Sequence, residues 1–252
     1  MFTPLKAALF FGLLATSPPA LALDLNALDT QEKEQFGQQV REYLLENPDI
    51  IMEVFSILEQ RQQEAELEQD HLIIASNLPE IQNDGFSWVG GNPDGDVTLV
   101  EFLDYKCGFC RKAHKEVANL VKTDGNIRLV VKEYPILGED SFALSQAAVA
   151  TLQSLGPDAY KKMYNIFIQH NGPINEQVIT FLANQVDLDG QAIIAQMEKA
   201  SVLEHIQRTR TLGETLNITG TPTFIFNDQI IRGYVPETVM KDIVAELRRQ
   251  TQ

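Results

Sequence analysis

Cysteine is nearly missing from this chain of 252 residues: there are two, Cys107 and Cys110, three positions apart. A pair so close closes too small a loop to constrain an unfolded chain by much, so a stabilising disulfide framework is excluded. Positive charge is also scarce, with 20 Lys and Arg against 35 Asp and Glu, for a net charge of −15. Binding nucleic acid through its phosphates needs clustered Lys and Arg, so that class of function is set aside. The four histidines, at 71, 114, 170 and 205, stand at no spacing that would complete a zinc site around two thiols. No apolar run approaches the ~20 residues needed to span a bilayer. There is no internal repeat, and the Gln- and Glu-rich stretch from Glu59 to Asp70 is the one biased tract.

What is present begins with a leader-like segment. Lys6 supplies a positive n-region, Ala7 to Ala15 a short apolar core and Ala20-Leu21-Ala22 a small-residue cleavage signal. Residues 1–22 therefore read as a signal peptide removed on export, rather than as a membrane anchor. Roughly 230 remaining residues suffice to bury a core without disulfides. Acidity is uneven: residues 23–80 hold 14 acidic and 3 basic side chains, residues 81–252 hold 21 and 16. That asymmetry marks two regions.

In the first region, apolar residues at helical spacing (Leu28, Phe36, Val40, Tyr43 and Leu44) predict a helix over 28–46. Asn47-Pro48 then reads as a cap and first position of a second helix. That helix carries only a thin apolar stripe, Ile51, Val54, Leu58, Ala65 and Leu72, as expected of a projecting stalk, a partner-binding helix or a cover for the second region. Leu78-Pro79 and Asn83-Asp84-Gly85 break the pattern, and Gly90 to Gly95 reads as a turn cluster. Beyond lie a strand (Val97 to Leu103), a helix (Arg111 to Lys122), a strand (Ile127 to Tyr134) and a helical block from Ser141 to about Leu216. A hairpin over Asn227-Asp228 and a closing helix from Glu237 to Arg249 complete the order.

The chemistry is concentrated in Cys107-Gly108-Phe109-Cys110, between an apolar strand and a helix. A thiolate at a helix start is stabilised by unpaired backbone N–H groups and by the helix dipole. Cys110, one turn later, is within reach of the Cys107 sulfur. The pair reads as a redox switch that exchanges disulfides with other proteins. Export suits it, because an oxidising compartment lets a disulfide persist.

C-x-x-C at a strand-to-helix junction, with Thr221-Pro222 before a later strand, resembles the thioredoxin superfamily. The helical block between the halves narrows the likeness to its DsbA-like branch. The residues that carry it are Glu101, six positions before the first cysteine, Lys132 in the second strand, and Gly220-Thr221-Pro222-Thr223-Phe224. The likeness covers about residues 85–252. Upstream, Arg41 to Pro48 (REYLLENP) is similar to the helical extension of ScsC-type proteins, the Com1-like group of exported DsbA relatives.

The resemblance implies an α/β thioredoxin fold with a helical insertion at about 140–216, preceded by an α-helical stalk over 23–80. It implies Cys107 as the exposed nucleophile and Cys110 as the shielded resolving thiol. Glu101 would accept the Cys110 proton, with Lys132 pairing with Glu101 so that it is not stranded. Thr221-Pro222 would form a cis-proline loop facing the cysteines and pairing with an extended substrate. His114 and Lys106 read as exposed polar residues, Lys106 with an alternative role in electrostatic support.

Strongly oxidising DsbA enzymes resemble one another in a Pro-His centre whose His stabilises the thiolate. Gly108-Phe109 has no such group and is similar to the Gly-Tyr centre of isomerases. The expectation is a periplasmic thiol–disulfide oxidoreductase working as isomerase or reductase on exported proteins with cysteines and reset by a membrane redox partner. A homotrimer through residues 23–80 would hold several such sites together. No metal, nucleic acid or cofactor beyond the redox-active Cys107–Cys110 disulfide is expected. Two alternatives stand beside it: a monomeric DsbA-like oxidase, and a Cu(I)-binding copper-tolerance protein using the same two thiolates, which no Met-rich segment supports.

Overall fold

A computed structural model describes residues 29–250, so the expected signal peptide at 1–22 and Leu28 lie outside the described residues. The chain divides into two compact units, residues 1–61 and 62–252. In the first, helix α1 (Thr30–Glu46) opens on a capping box. The Asp29 side chain accepts from the Glu32 N–H, and the Glu32 carboxylate accepts from the Asp29 N–H, both at 2.9 Å. Asn47 ends α1, donating to the Tyr43 carbonyl from both its backbone N–H and its side-chain amide. Its side chain is thus committed to the helix before it, not to capping the helix after it. Helix α2 (Asp49–Gln82) follows.

Pro79 does not end α2. Asn83 N–H still reaches the Pro79 carbonyl at 2.7 Å, and the break falls at Asn83. Ile74 and Ile81 are fully buried in the second unit, so the C-terminal part of the stretch read as 23–80 belongs to that unit's core.

The second unit is built on a five-stranded sheet in the order β1-β3-β2-β4-β5. The strands are β1 (Trp88–Gly91), β2 (Val97–Leu103), β3 (Ile127–Glu133), β4 (Thr223–Phe226) and β5 (Gln229–Arg232). β2 and β3 run parallel, and the other pairings are antiparallel. Strand β1 lies partly where the glycine run reads as a turn. The Trp88 ring folds back over Gly90, where a Cβ would come within 2.1 Å of it, so glycine serves packing within a strand. The predicted hairpin over Asn227-Asp228 is present as β4–β5.

Side chains of β2 alternate between two interiors. Leu99 and Leu103 join Leu129, Val131, Phe224 and Phe226 against α3 (Gly108–Asp124), α9 (Glu237–Gln250) and the insertion. Val100 and Phe102 join Val130, Tyr134 and Ile225 against Ile74, Ile81, Leu212 and Leu216. A strand buried on both faces reads as the near-continuous apolar run seen in the sequence. The insertion comprises α4 (Glu139–Leu155), α5 (Pro157–Phe167), α6 (Glu176–Asn184), α7 (Gly190–Met197) and α8 (Ala200–Thr215). α4 buries residues nearly all round, including Leu144, Ala147, Val149 and Ala150, and packs against α5, α7 and α8.

The alternation corrects one expectation. Glu101 is in register with Val131, while Lys132 is in register with Phe102, so Glu101 and Lys132 face opposite interiors. Lys132 pairs with Asp84 at 2.5 Å and donates to the Glu80 carbonyl at 2.8 Å. Burial opposes charge on Asp84, but the Lys132 ammonium and the hydrogen bonds from Ser87 together outweigh it and hold the carboxyl below its usual range. Replacing Lys132 by Met should leave the buried Asp84 carboxylate without its cation, held only by the Ser87 hydroxyl and the Phe86 and Ser87 backbone N–H groups, costing about 3–5 kcal/mol of stability in denaturant unfolding. A Lys132→Met/Asp84→Asn double variant should recover much of the loss; equal midpoints for wild type and single variant would contradict the pairing.

Candidate functional site

β2 ends at Leu103, and four residues later Cys107 is the N-cap of α3. The intervening turn is held by Asp104, a fully buried carboxylate. Asp104 accepts from the backbone N–H groups of Lys106 (2.8 Å), Ile136 (2.8 Å) and Leu137 (3.0 Å) and from the Ser141 hydroxyl (2.7 Å). One side chain therefore ties the β2–α3 turn to the segment that leads from β3 into α4. Arg111 adds a second tie, donating to the carbonyls of Ile168 and His170 beyond α5. Lys106 donates to the Gly172 carbonyl and pairs with Asp140, so it is engaged with the insertion rather than with the thiols.

Both cysteines are free thiols. Cys107 is only 8% exposed and Cys110 is fully covered, so the shielding expected of Cys110 is present while the nucleophile is more enclosed than expected. Burial pushes the Cys110 thiol far up, and its hydrogen bond with Cys107 adds to the effect. Cys107 moves the other way, down to about 5 from 9.0. The hydrogen bond from the Cys110 thiol contributes most. Burial opposes it, and the Thr221 side chain and the backbone N–H groups of Cys110 and Phe109 add support. The Cys110 N–H lies 3.4 Å from the sulfur. No side chain at 108 or 109 takes part: Gly108 has none, and Phe109 is 63% exposed, stacked on Tyr234 at 6.3 Å. The thiolate is thus stabilised without the group whose lack suggested a weaker site.

The Thr221-Pro222 peptide is cis, and the Thr221 carbonyl accepts from Cys107 Sγ at 3.1 Å. Residues 114 apart in the chain therefore meet at the reactive sulfur. Behind the pair lies Glu101, 1% exposed, whose Oε2 accepts from the Tyr164 hydroxyl at 3.1 Å. Burial raises its carboxyl to about 7; the Tyr164 bond works against this, and the Glu133 and Cys107 charges add to it. Glu133, on the same face, is also raised to about 7 by burial, although it accepts from Tyr105, Tyr160 and Ser145. Of the expected site residues, Cys107, Cys110, Glu101, Thr221 and Pro222 converge; Lys132 does not.

His114 is buried, not exposed, edge-on to Tyr164 at 4.7 Å. Sequence reasoning also passed over Asp104 and Tyr164. Asp104 had a signal, a carboxylate between a wholly apolar strand end and the cysteines. Tyr164 had none, because it arrives from the insertion. Among the described residues, no three or more His, Cys, Asp or Glu side chains cluster in a way that could hold a metal.

Residues 83–246 match the family described as Thioredoxin, and residues 32–65 match the Copper resistance protein ScsC N-terminal domain. The structure of a thioredoxin-like oxidoreductase from Silicibacter pomeroyi DSS-3 is similar, with 37% identity and a TM-score of 0.63, covering 68% of this chain and 97% of that one. So is the thiol-disulfide exchange protein alpha-DsbA2 from Wolbachia pipientis, with 25% identity and a TM-score of 0.68 over 73% of this chain and 98% of that one. Disulfide bond formation protein D of Bacillus subtilis (strain 168) is 21% identical over 61% of this chain and 75% of its own length. Na(+)/H(+) antiporters NhaA are also similar, that of Salinispora arenicola being 26% identical over 55% of this chain. The chain spans only 21 to 27% of the length of these antiporters.

The Cys107 geometry predicts a thiolate that titrates near pH 5, read by ultraviolet thiolate absorbance and abolished by Cys107→Ser. The folded-state pKa lies below the unfolded thiol's, so the stabilisation is complete above about pH 9 and is lost as pH falls through about 5. The reduced form should therefore lose stability relative to the oxidised form on acidification across that window. A titration midpoint near that of a free thiol would contradict the assignment.

Proposed function

The chain belongs to the thioredoxin family, and from that premise we propose that it is a periplasmic thiol–disulfide oxidoreductase, acting as isomerase or reductase on exported proteins with cysteines. One observation carries the reading: an enclosed thiol drawn down to about 5 lies beside the cis Thr221-Pro222 loop and above a covered second thiol.

At neutral pH Cys107 is a thiolate. It attacks one sulfur of a substrate disulfide; that S–S bond breaks, a Cys107–substrate mixed disulfide forms, and the other substrate sulfur leaves as a thiolate that takes a proton from water. In isomerisation a different substrate thiolate attacks the mixed disulfide, a new substrate disulfide forms, and Cys107 is regained with no net redox change. In reduction the Cys110 thiol gives its proton to Glu101 and attacks Cys107 Sγ. The Cys107–Cys110 disulfide forms, and the substrate leaves with both electrons. Burial raises Cys110 so far that it needs a base beside it, and Glu101, titrating near neutrality, is matched to that transfer. A membrane redox partner then resets the pair.

The direction rests on Gly108-Phe109, which leaves the approach to Cys107 free of a charged side chain, and on the first unit. There Phe36, Tyr43, Ile51, Val54 and Phe55 are exposed, and the ScsC-type match falls on the same residues. Apolar surface of this kind is a docking face; self-association into a trimer would cover it and hold several dithiols around one substrate. A second reading, a monomeric oxidase, is favoured by the low Cys107 pKa, because a good leaving group makes a readily donated disulfide.

Cys107→Ala should abolish the refolding of a scrambled disulfide protein, and Glu101→Gln should slow resolution of the mixed disulfide by about a hundredfold. Activity retained by Cys107→Ala would sink the mechanism. Solution mass separates trimer from monomer. The informative deletion ends at Arg61 rather than at residue 80, because Ile74 and Ile81 are core residues; unchanged mass and isomerase activity after that deletion would overturn the role given to the first unit.

A further inference from the structure

A cavity of about 540 Å³ lies on the flank of α3, between α5 and the end of β1, away from the reactive sulfur. Its size is that of a small-molecule pocket. Its apolar wall is made by Val117 and Val121 of α3 with Leu129 of β3, and its aromatic wall by Trp88 and Tyr164. The aromatic wall is rigid: Trp88 stacks on Tyr160 and Tyr164, and its indole N–H donates to the Pro157 carbonyl at 3.0 Å.

Two observations say what the cavity suits. The first is charge. Lys122 and Lys161 are the only charged residues in the lining, in a chain of net charge −15. No carboxylate lines the cavity. The second is His114, which is 8% exposed and lines the same cavity with its Nδ1 buried and outside hydrogen-bonding geometry to any partner. A buried polar nitrogen without a partner carries a desolvation cost that a bound group can relieve. Burial also lowers the pKa of this ring, against the opposing effect of the nearby Asn165 side chain, so it meets a ligand as a neutral imidazole.

We propose that this cavity binds a small apolar anion, with the apolar body against Trp88, Val117 and Val121, the anionic head toward Lys122 and Lys161, and a hydrogen bond to His114 Nδ1. Such a ligand would touch α3 one turn beyond Cys110 and press on Tyr164, the residue that holds Glu101. The site is nonetheless separate from the dithiol, and its occupancy can be read without the thiols.

Trp88 is the single tryptophan of the chain and forms part of the wall, so its emission reports occupancy directly. Octanoate is the probe, with octanol and octylamine as uncharged and cationic controls of the same chain length. Octanoate should give a saturable change in Trp88 emission, with octanol about tenfold weaker and octylamine weaker still. Lys122→Glu/Lys161→Glu should weaken octanoate by about tenfold, the scale of two ion pairs replaced by repulsion. Ala118→Phe, at an exposed helix position lining the cavity, should obstruct it. Unchanged circular dichroism and thiol–disulfide exchange would show that these variants fold. The proposal is overturned by the absence of a saturable change, by equal binding of the three probes, or by undiminished octanoate binding in the charge-reversed variant. None of those results bears on the oxidoreductase reading, which is tested at Cys107.

Discussion

Strand β2 runs through the middle of the sheet with a partner on each edge and packing on each face, so each side chain is committed to one of two dry interiors. Every polar group placed there must find a partner or change its charge state. On one face Glu101 has a single hydroxyl and no cation, and its carboxyl is held near neutrality. On the other, Lys132 has Asp84 and remains half of an ion pair. The site's chemistry follows from this difference between neighbouring positions.

Burial pushes both thiols up, yet the two end on opposite sides of the ordinary value. Cys110, on the inner side of α3, has little to offset its loss of water, and its proton is held tightly. Cys107, at the N-cap, is less deeply buried and is offered donors by its own helix and by the second thiol, and these outweigh its smaller loss of water. A protonated Cys110 is also what donates to the Cys107 thiolate, so each thiol's state supports the other's. Glu101 lies behind the pair, and burial raises its carboxyl to about 7, so it can take up or release a proton around neutral pH. Asp104 and Arg111 hold this group in place by joining the catalytic turn to the insertion, which brings Tyr164 to Glu101.

The dithiol, its strand and helix, the cis-proline loop and the helical insertion were legible because each rests on residues near one another in the chain. A C-x-x-C pair at a helix start announces itself, and so does a proline between a helical block and a hairpin. The failures share a cause. Lys132 was assigned to Glu101 by strand adjacency, but the two-residue period of a parallel pair turns it to the other interior. Gly90 and Gly91 suggested a turn because the groups that need their missing side chains, the Trp88 ring over Gly90 and the Ile127 carbonyl against Gly91, are invisible to local pattern. Pro79 suggested a helix end, yet loss of one N–H near the terminus was tolerated. His114 looked like an exposed helix residue because Tyr164, against which it packs, comes from the insertion.

By itself the sequence determined that there is one close-spaced cysteine pair, that no disulfide framework supports it, and that its first sulfur begins a helix. These follow from composition and short-range spacing, which act through backbone geometry over a few residues. The tertiary structure alone decided which carboxylate lies behind the thiols, which cation does not, how far each proton is held or released, and that a separate pocket with two lysines flanks the catalytic helix. Those properties depend on the local dielectric and on partners dozens of residues away, and both exist only once the two faces of the sheet are covered.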